Sequence, residues 1–314
     1  MPAKQKRIAI VVHGGAGEDS EFLRKHKKEY EKGIEKAMNA GYNVLAKNGS
    51  AVDAVEQAVI ELENSPIFNA GRGSALNALG QVEMDAAIMD GKTMNSGAVA
   101  LLQNVKNPIS LAKAIMLNTK YRFLGAHGAL DYAKRIHTSL EPDSYFITEY
   151  QYDEYAKKVK EEFLDTKEIA LDEINQRYHG TVGAVALDED GNLAASTSTG
   201  GTPNAKEGRI GDSCVIGAGC YANNDRCAIS GTGDGEFLIK SVLAHSISAC
   251  IAYKKMSVQE ACDYVIFKEN KKIDGDIGAI CLDKAGNIGI AFNSERMIRG
   301  YKATGKRPFI KIYK

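Results

Sequence analysis

The chain has no charge of one sign to spare: 40 Lys and Arg stand against 40 Asp and Glu in 314 residues. A balanced surface sets up no global field for nucleic acid or an anionic membrane, so neither is expected as a partner and a small molecule is. Long apolar runs are lacking as well. Behind the basic start Met1-Pro2-Ala3-Lys4-Gln5-Lys6-Arg7 the apolar run extends only from Ile8 to Val12 before His13-Gly14-Gly15 ends it. That is too short for a secretory leader or a membrane span, and it reads as a first strand. Cysteine is missing from the first two thirds. Cys214, Cys220, Cys227, Cys250, Cys262 and Cys281 show no C-x-x-C pair and no zinc-like spacing with histidine, so a reduced, cytoplasmic setting is expected. An obvious Ser/His/Asp set is absent too.

What is present is a globular composition, 44% hydrophobic, long enough for one large or two ordinary domains. The stretch His13-Gly14-Gly15-Ala16-Gly17 asks for a tight, glycine-dependent loop after the first strand. Leu23, Tyr30, Ile34, Met38 and Leu45 recur at helical spacing up to Asn48-Gly49, predicting one long helix; Ser50 then caps a second, from Ala51 to about Asn64. The segment from Leu62 to Ser74 lacks periodicity but carries Ile67 and Phe68, as a loop held against the body would. Val82 to Met89 and Met94 to Leu102 flank Asp90-Gly91-Lys92-Thr93 as a hairpin. Short helices are expected near Ser110 to Met116, Ala126 to Arg135 and Asp153 to Phe163, then a solvated linker to His179.

The second half repeats itself once. Val182-Gly183-Ala184-Val185-Ala186-Leu187-Asp188-Glu189-Asp190-Gly191-Asn192-Leu193 aligns without gaps on Ile277-Gly278-Ala279-Ile280-Cys281-Leu282-Asp283-Lys284-Ala285-Gly286-Asn287-Ile288, with six identities in twelve positions. Both read as strand-turn-strand units. With helices expected from Glu236 to Ala252 and Val258 to Phe267 between them, the pattern predicts stacked sheets covered by helices.

The chemistry gathers around His179-Gly180-Thr181-Val182-Gly183-Ala184-Val185. A threonine hydroxyl becomes a nucleophile only with a base in reach. Without a Ser/His/Asp set, the alternative is cleavage before Thr181, which frees an α-amine with a pKa of about 7.7–8.0 to act as that base. Gly180 leaves its carbonyl open to the Thr181 hydroxyl. Taken alone, a Gly-Thr pair before a strand is equally a β-branched strand opener. Thr199, in Thr197-Ser198-Thr199-Gly200-Gly201, closes the first hairpin and could lie beside Thr181; a polar strand end is the local alternative. Gly208-Arg209-Ile210-Gly211-Asp212-Ser213 offers a guanidinium fork for an α-carboxylate and a carboxylate for an α-ammonium, or else a surface ion pair. Ser230-Gly231-Thr232-Gly233-Asp234-Gly235-Glu236 places backbone amides at a helix start, an anion or oxyanion site. It also approaches a dinucleotide fingerprint, so a non-catalytic Rossmann-like nucleotide-binding protein is the competing reading, against the G-x-G-x-G spacing.

These motifs, with Phe68-Asn69-Ala70-Gly71-Arg72-Gly73-Ser74 and Gly217-Ala218-Gly219-Cys220-Tyr221-Ala222, occur in an order that resembles the plant-type L-asparaginase and isoaspartyl peptidase family of N-terminal-nucleophile hydrolases, from His13 to about Asn293. The resemblance implies one αββα sandwich domain over 1–314. It implies self-cleavage between Gly180 and Thr181 into fragments 1–180 and 181–314, and a dimer of two-fragment protomers. By position it makes Thr181 the nucleophile and Thr199 its supporting hydroxyl. Arg209 and Asp212 would bind the substrate's α-carboxylate and α-ammonium, and Thr232 and Gly233 would form the oxyanion hole. Asn69 would position the site, and Gly14 would belong to a loop that moves during self-cleavage. No catalytic cofactor is implied, but a structural sodium ion is, on backbone carbonyls of the Leu62 to Phe68 loop, Leu62, Glu63 and Phe68 among them. The expected substrates are L-asparagine and β-aspartyl dipeptides.

Two departures bear on substrate preference. Ala205 stands between Asn204 and Lys206, where the family commonly has lysine directly after the asparagine, and Gly231 and Asp234 replace family residues around Thr232-Gly233. Glycosylasparaginases usually carry aspartate where Gly180 stands, which argues against a glycan-linked substrate. A threonine endoprotease of the same superfamily finds no support in the Arg209/Asp212 pair.

Overall fold

The computed structural model describes residues 7–164, 180–272 and 275–314. The linker before His179 and the basic start therefore lie outside the described residues, Arg7 excepted. In chain order the elements are β1 (Ala9–Gly17), α1 (Glu21–Lys25), α2 (Lys27–Ala46), α3 (Ala51–Glu63), β2 (Met84–Asp90), β3 (Ser96–Leu102), α4 (Pro108–Asn118), β4 (Phe123–Gly125), α5 (Ala126–Arg135), α6 (Asp143–Phe146) and α7 (Glu149–Leu164). Then follow β5 (Thr181–Leu187), β6 (Leu193–Thr199), β7 (Cys220–Ala222), β8 (Cys227–Gly233), α8 (Gly235–Ser241), α9 (Leu243–Lys254), α10 (Val258–Asp263), β9 (Ile277–Asp283), β10 (Ile288–Phe292), β11 (Arg296–Ala303) and β12 (Phe309–Tyr313).

The strands form two sheets, ordered β12-β11-β1-β5-β6-β2-β3-β4 and β10-β9-β8-β7. Strand alternation divides their side chains between two cores. Val182, Ala184 and Ala186 of β5 pack with Ile34, Val55 and Val59 of α2 and α3, whereas Val185 and Leu187 face Ile229, Ile280 and Leu282 of the second sheet. Leu238, Leu243 and Ile247 cover that second sheet from outside. The layers are thus helix, sheet, sheet, helix, a mixed α/β sandwich of the expected kind. The two sequence-related hairpins, β5 with β6 and β9 with β10, lie one in each sheet.

Local chemistry explains several element ends. Ser50 accepts from Asp53 N at 3.1 Å and starts α3 as its sequence indicates. The single long helix expected before it is two, because the chain turns at His26 between α1 and α2. Asp90-Gly91 does not make the primed turn: the left-handed residue is Met94 (φ 60°), and the Asp90 carboxylate caps Lys92 N and the Thr93 hydroxyl in a longer loop. Gly91 is needed for close approach, since a Cβ there would sit 2.8 Å from Leu193 O.

The glycine-rich stretch after Val12 stays in β1, absorbing its extra residue as a bulge between His13 and Ala16. The stretch Gly235–Lys254 has the length and apolar character of a membrane span. It is broken at Val242 (φ 45°), and Leu238, Leu243, Ala244 and Ile247 of its two halves are buried in the core. After α10 the chain widens into a π-turn over Tyr264–Glu269 instead of continuing as the expected α-helix to Phe267.

Candidate active site

Thr181 is the first residue of β5, a central strand flanked by β1 and β6. By strand alternation with Gly183 and Val185 its side chain faces the second sheet. Across the ladder its partner is Thr199, the last residue of β6. The Thr181 hydroxyl donates to Thr199 Oγ1 at 3.3 Å, and Thr199 Oγ1 donates in turn to Gly180 O at 3.2 Å. A two-hydroxyl relay therefore runs from the β-branched strand opener to the carbonyl of the peptide bond before it. Gly201 N donates to Thr199 Oγ1 as well, holding that oxygen in place.

The backbone around this relay is braced from both sides. Asn69 accepts from Ala75 N at 2.8 Å and donates to Gly201 O at 2.7 Å, and its Cβ leaves no room for one on Gly180, where a methyl would sit 2.8 Å away. On the β1 side, His13 Nδ1 meets Thr181 O at 3.0 Å and its Nε2 meets Ser230 Oγ at 2.8 Å; Ser230 Oγ lies 2.7 Å from Thr197 Oγ1. His13 is fully buried, and desolvation pushes its pKa down to about 3 against the pull of the Thr181 carbonyl, so it is a neutral strut with both nitrogens engaged. Gly183 makes room for it, since a Cβ there would collide with Ser230 Oγ and His13 Nε2. Gly14 packs within β1, where a Cβ would lie 2.4 Å from the Phe68 ring.

Thr232 and Gly233 end β8 in the facing sheet. Thr232 is fully buried and its oxygen accepts from Ala16 N at 3.2 Å, which leaves its proton to be given elsewhere. Gly233 has φ 128°, and a Cβ there would lie 2.2 Å from Asp276 O. The glycine-rich segment does not make a Rossmann turn: β8 runs antiparallel to both β7 and β9, whereas a dinucleotide fold needs a parallel strand beside it.

Arg209 and Asp212 meet at this same end. They do not form an ion pair with each other. Arg209 Nε and Nη2 grip Glu236 Oε1 and Oε2 at 2.8 and 2.9 Å, and those bonds hold the Glu236 carboxyl below its usual range. Asp212 is buried, and its Oδ2 has no hydrogen-bond partner. Desolvation raises its pKa to about 7 although the Arg209 charge draws it down. A buried carboxylate oxygen without a donor is costly unless something else arrives to meet it. Gly235 and Gly219 hold the backbone close, since a Cβ on Gly235 would lie 2.9 Å from Arg209 Nη2 and one on Gly219 2.6 Å from Asp212 Oδ2. Asp85, whose backbone pairs with Thr199, accepts from Gly211 N and Leu101 N and so fixes the loop that carries Arg209 and Asp212; burial raises its pKa to about 6.

Several of these supports leave little trace in the sequence. His13 stands out only as part of its glycine-rich motif, and nothing local marks Asp85, Glu236 or the Glu63 carboxylate. Glu63 is buried under β6 and accepts from Ser198 Oγ, Ile109 N and Asn107 Nδ2, with burial raising its pKa to about 8 against those donors. Its only sequence signal was an acidic residue at the end of an otherwise apolar helix face.

A strand-opening threonine in a two-hydroxyl relay, with a buried carboxylate that lacks a hydrogen-bond donor on a loop tied to β2 of the same αββα sandwich, defines an amide hydrolase of the N-terminal-nucleophile kind. The chain belongs to the asparaginase family, whose model matches residues 6–312. It is 42% identical to an isoaspartyl peptidase/L-asparaginase of Xenopus laevis over 92% of this chain and 90% of that protein. It is 41% identical to one of Bos taurus over 92% and 91%. An isoaspartyl peptidase of Salmonella typhimurium is 38% identical over 98% and 99%.

Proposed function

We propose that this protein is an amidohydrolase for substrates with a free L-aspartyl head group, releasing L-aspartate from β-aspartyl dipeptides and from L-asparagine after cutting itself between Gly180 and Thr181. The observation that carries the reading is the relay from the Thr181 hydroxyl through Thr199 to the Gly180 carbonyl, beside a buried carboxylate that lacks a donor.

In maturation, Thr181 Oγ attacks the Gly180 carbonyl carbon, the acyl group passes from nitrogen to oxygen, and water hydrolyses the ester. The Gly180 carboxylate and the Thr181 α-amine are thereby released. Thr199, already donating to the Gly180 oxygen, polarises the carbonyl under attack. In hydrolysis the freed amine takes the Thr181 hydroxyl proton, the oxygen attacks the substrate's β-carbonyl, and the Thr232 hydroxyl and Gly233 amide receive the oxyanion. The amine returns the proton to the leaving nitrogen, and water then frees aspartate. Arg209 holds the α-carboxylate on the guanidinium edge that Glu236 leaves open, and Asp212 Oδ2 meets the α-ammonium.

No catalytic cofactor enters these steps. A structural sodium ion belongs to the same proposal, and the loop after α3 fits it. A Cβ on Gly73 would lie 2.7 Å from both Pro66 O and Phe68 O, so two main-chain oxygens of the loop turn toward one point, as those of a hard-cation site do. The Leu62 and Glu63 carbonyls also accept from Ser65 N and Arg72 N. A dimer of two-fragment protomers rests on the family resemblance alone. A reducing, cytoplasmic setting is supported by six buried cysteines, none in a disulfide.

Denaturing electrophoresis with intact mass tests the central step. Fragments of 180 and 134 residues (314 minus 180) are expected from the wild type and a single chain from Thr181→Ala. Maturation of Thr181→Ala at the same bond would assign the cut to an outside protease and remove the reading's support.

A further inference from the structure

Asp234 follows Thr232-Gly233 and is one of the chain's departures from the family pattern there. Its side chain is turned to the next strand. Asp234 N donates to Asp276 O at 2.7 Å, and Asp234 Oδ2 accepts from Asp276 N at 3.1 Å. In an antiparallel ladder two facing residues exchange both main-chain bonds. This rung, one step beyond the last pair of β8 and β9, Gly233 with Ile277, keeps one main-chain bond and replaces the other with a carboxylate. The cause is local. Asp234 O is taken by the first turn of α8, where Phe237 N and Leu238 N both donate to it at 3.0 Å, so the side chain supplies the acceptor that Asp276 N needs.

That rung grips Gly233. With Gly233 at φ 128°, Asp276 O lies 2.2 Å from where its Cβ would be, so the Asp276 peptide stands in the place of a side chain. Asp276 is fixed on both flanks: Asn293 Oδ1 accepts from Ile277 N, and Asn293 Nδ2 and Asn270 Nδ2 both donate to Gly275 O, each at 2.7 Å. The Asp234 carboxylate thus ties Gly233 to an anchored segment. Amide direction alternates along a strand. Asp234 N points to β9 and Gly231 N donates to Gly219 O on the β7 side, so Gly233 N turns to the β7 side as well. Because β7 starts at Cys220, opposite Ser230, no strand among the described residues faces Gly233 there.

Strand direction brings this amide to the nucleophile's end of the sheets. β8 meets β1 at two points, Ser230 on His13 and Thr232 on Ala16, so the two strands advance together. β5 runs antiparallel to β1 and pairs Gly183 with His13, which puts Thr181 toward the same end as Thr232 and Gly233.

We infer that Asp234 is a positioning residue for the oxyanion donor: its carboxylate, acting through Asp276, holds the Gly233 amide in place, so this departure sets turnover rather than the choice between asparagine and a dipeptide. The inference rests on the amidohydrolase reading above. A displaced donor weakens the interaction where charge develops, in the transition state, and changes ground-state binding little.

The test measures kcat and KM of the matured wild type, Asp234→Ala, Asp234→Asn and Asp234→Glu on L-asparagine and β-aspartyl-leucine. Complete self-cleavage and the thermal midpoint report folding. Asp234→Ala should lose about tenfold to a hundredfold in kcat/KM, no more than the loss of a whole oxyanion donor, by the same factor on both substrates and through kcat. Asp234→Asn offers an uncharged oxygen at the same place and should stay near wild type. Asp234→Glu keeps the charge but carries its oxygens one methylene farther, and should fall toward Asp234→Ala; if Asp234→Ala does not fold, the Asn and Glu variants decide. A changed ratio between the two substrates, or a rise in KM at constant kcat, would make Asp234 a residue that selects substrate and overturn the inference. Equal losses in Asp234→Asn and Asp234→Ala would assign the effect to charge and overturn it too. Unchanged kcat per matured site in Asp234→Ala, with only a lowered thermal midpoint, would make the rung structural and overturn it as well. If the matured wild type cleaves neither substrate, the amidohydrolase reading has failed first, and this inference falls with it.

Discussion

Asp212→Asn should make the protein more stable while making it inactive. Asp212 is buried, one of its oxygens has no hydrogen-bond partner, and its pKa is raised from 3.8 to about 7. Between those values the folded state binds a proton that the unfolded state has released, so the slope of unfolding free energy with pH is negative. The contribution is fully present below pH 3.8 and lost as pH rises through about 7. Above pH 7 the charged form costs the fold about three pKa units, an upper bound of about 4 kcal/mol. Asparagine keeps the shape without the charge, so it should recover a part of this, about 1–3 kcal/mol, at pH 8, about a quarter of that at pH 4.5 and almost none at pH 3.5.

The comparison is best made by urea denaturation in a Thr181→Ala background, where both proteins remain single chains, reading the difference in midpoint at these pH values. In the mature enzyme the same substitution should cost about 2–5 kcal/mol of transition-state binding, because the substrate's ammonium loses its partner. A midpoint at pH 8 that is unchanged or lowered by Asp212→Asn, or a difference that does not vary with pH, would refute the argument that Asp212 is held for its ligand at the expense of the fold.

Thr232→Val removes a donor from the oxyanion position at nearly constant shape, so kcat should fall on the order of 10²–10³ with KM little changed; a rise in KM at constant kcat would move Thr232 to ground-state binding. N-acetyl-asparagine and α-linked aspartyl dipeptides should be very poor substrates beside β-aspartyl-leucine, since each removes a charge that Arg209 or Asp212 needs or moves the scissile carbonyl; comparable kcat/KM values would displace the clamp. His13 has its folded pKa lowered to about 3 from 6.5, so its contribution is complete above pH 6.5 and is lost as pH falls toward 3, about 2 kcal/mol by pH 5. His13→Asn should flatten the stability profile between pH 6.5 and 4, and equal slopes in denaturant titrations of the two proteins would exclude His13 as a source of acid lability.

The parts of this protein readable in its sequence are those whose cause is local. The Ser50 cap, the apolar strand-turn-strand unit of β5 and β6, its repeat in β9 and β10, and Thr181 as a strand opener each depend on residues close together in the chain, and each appears where the residues imply it. Thr199 opposite Thr181 follows from one hairpin register.

Tertiary packing decided the rest. The bulge that keeps His13 to Gly17 in a strand exists because β11 pairs with it from the far end of the chain, Ala16 with Met297, 281 positions apart. His13 and Ser230 are 217 positions apart, and Arg209 and Glu236 are 27 apart. Neither pair leaves a periodic signal, because a hydrogen bond between distant residues constrains only its two ends. The donorless oxygen of Asp212 is visible only once Asp85 of β2 holds the backbone of Gly211 and the loop around it is buried. Short-range chemistry in the sequence points to Thr181 and Thr199; the sheets determined that Arg209 pairs with Glu236 and that Asp212 keeps an oxygen without a donor.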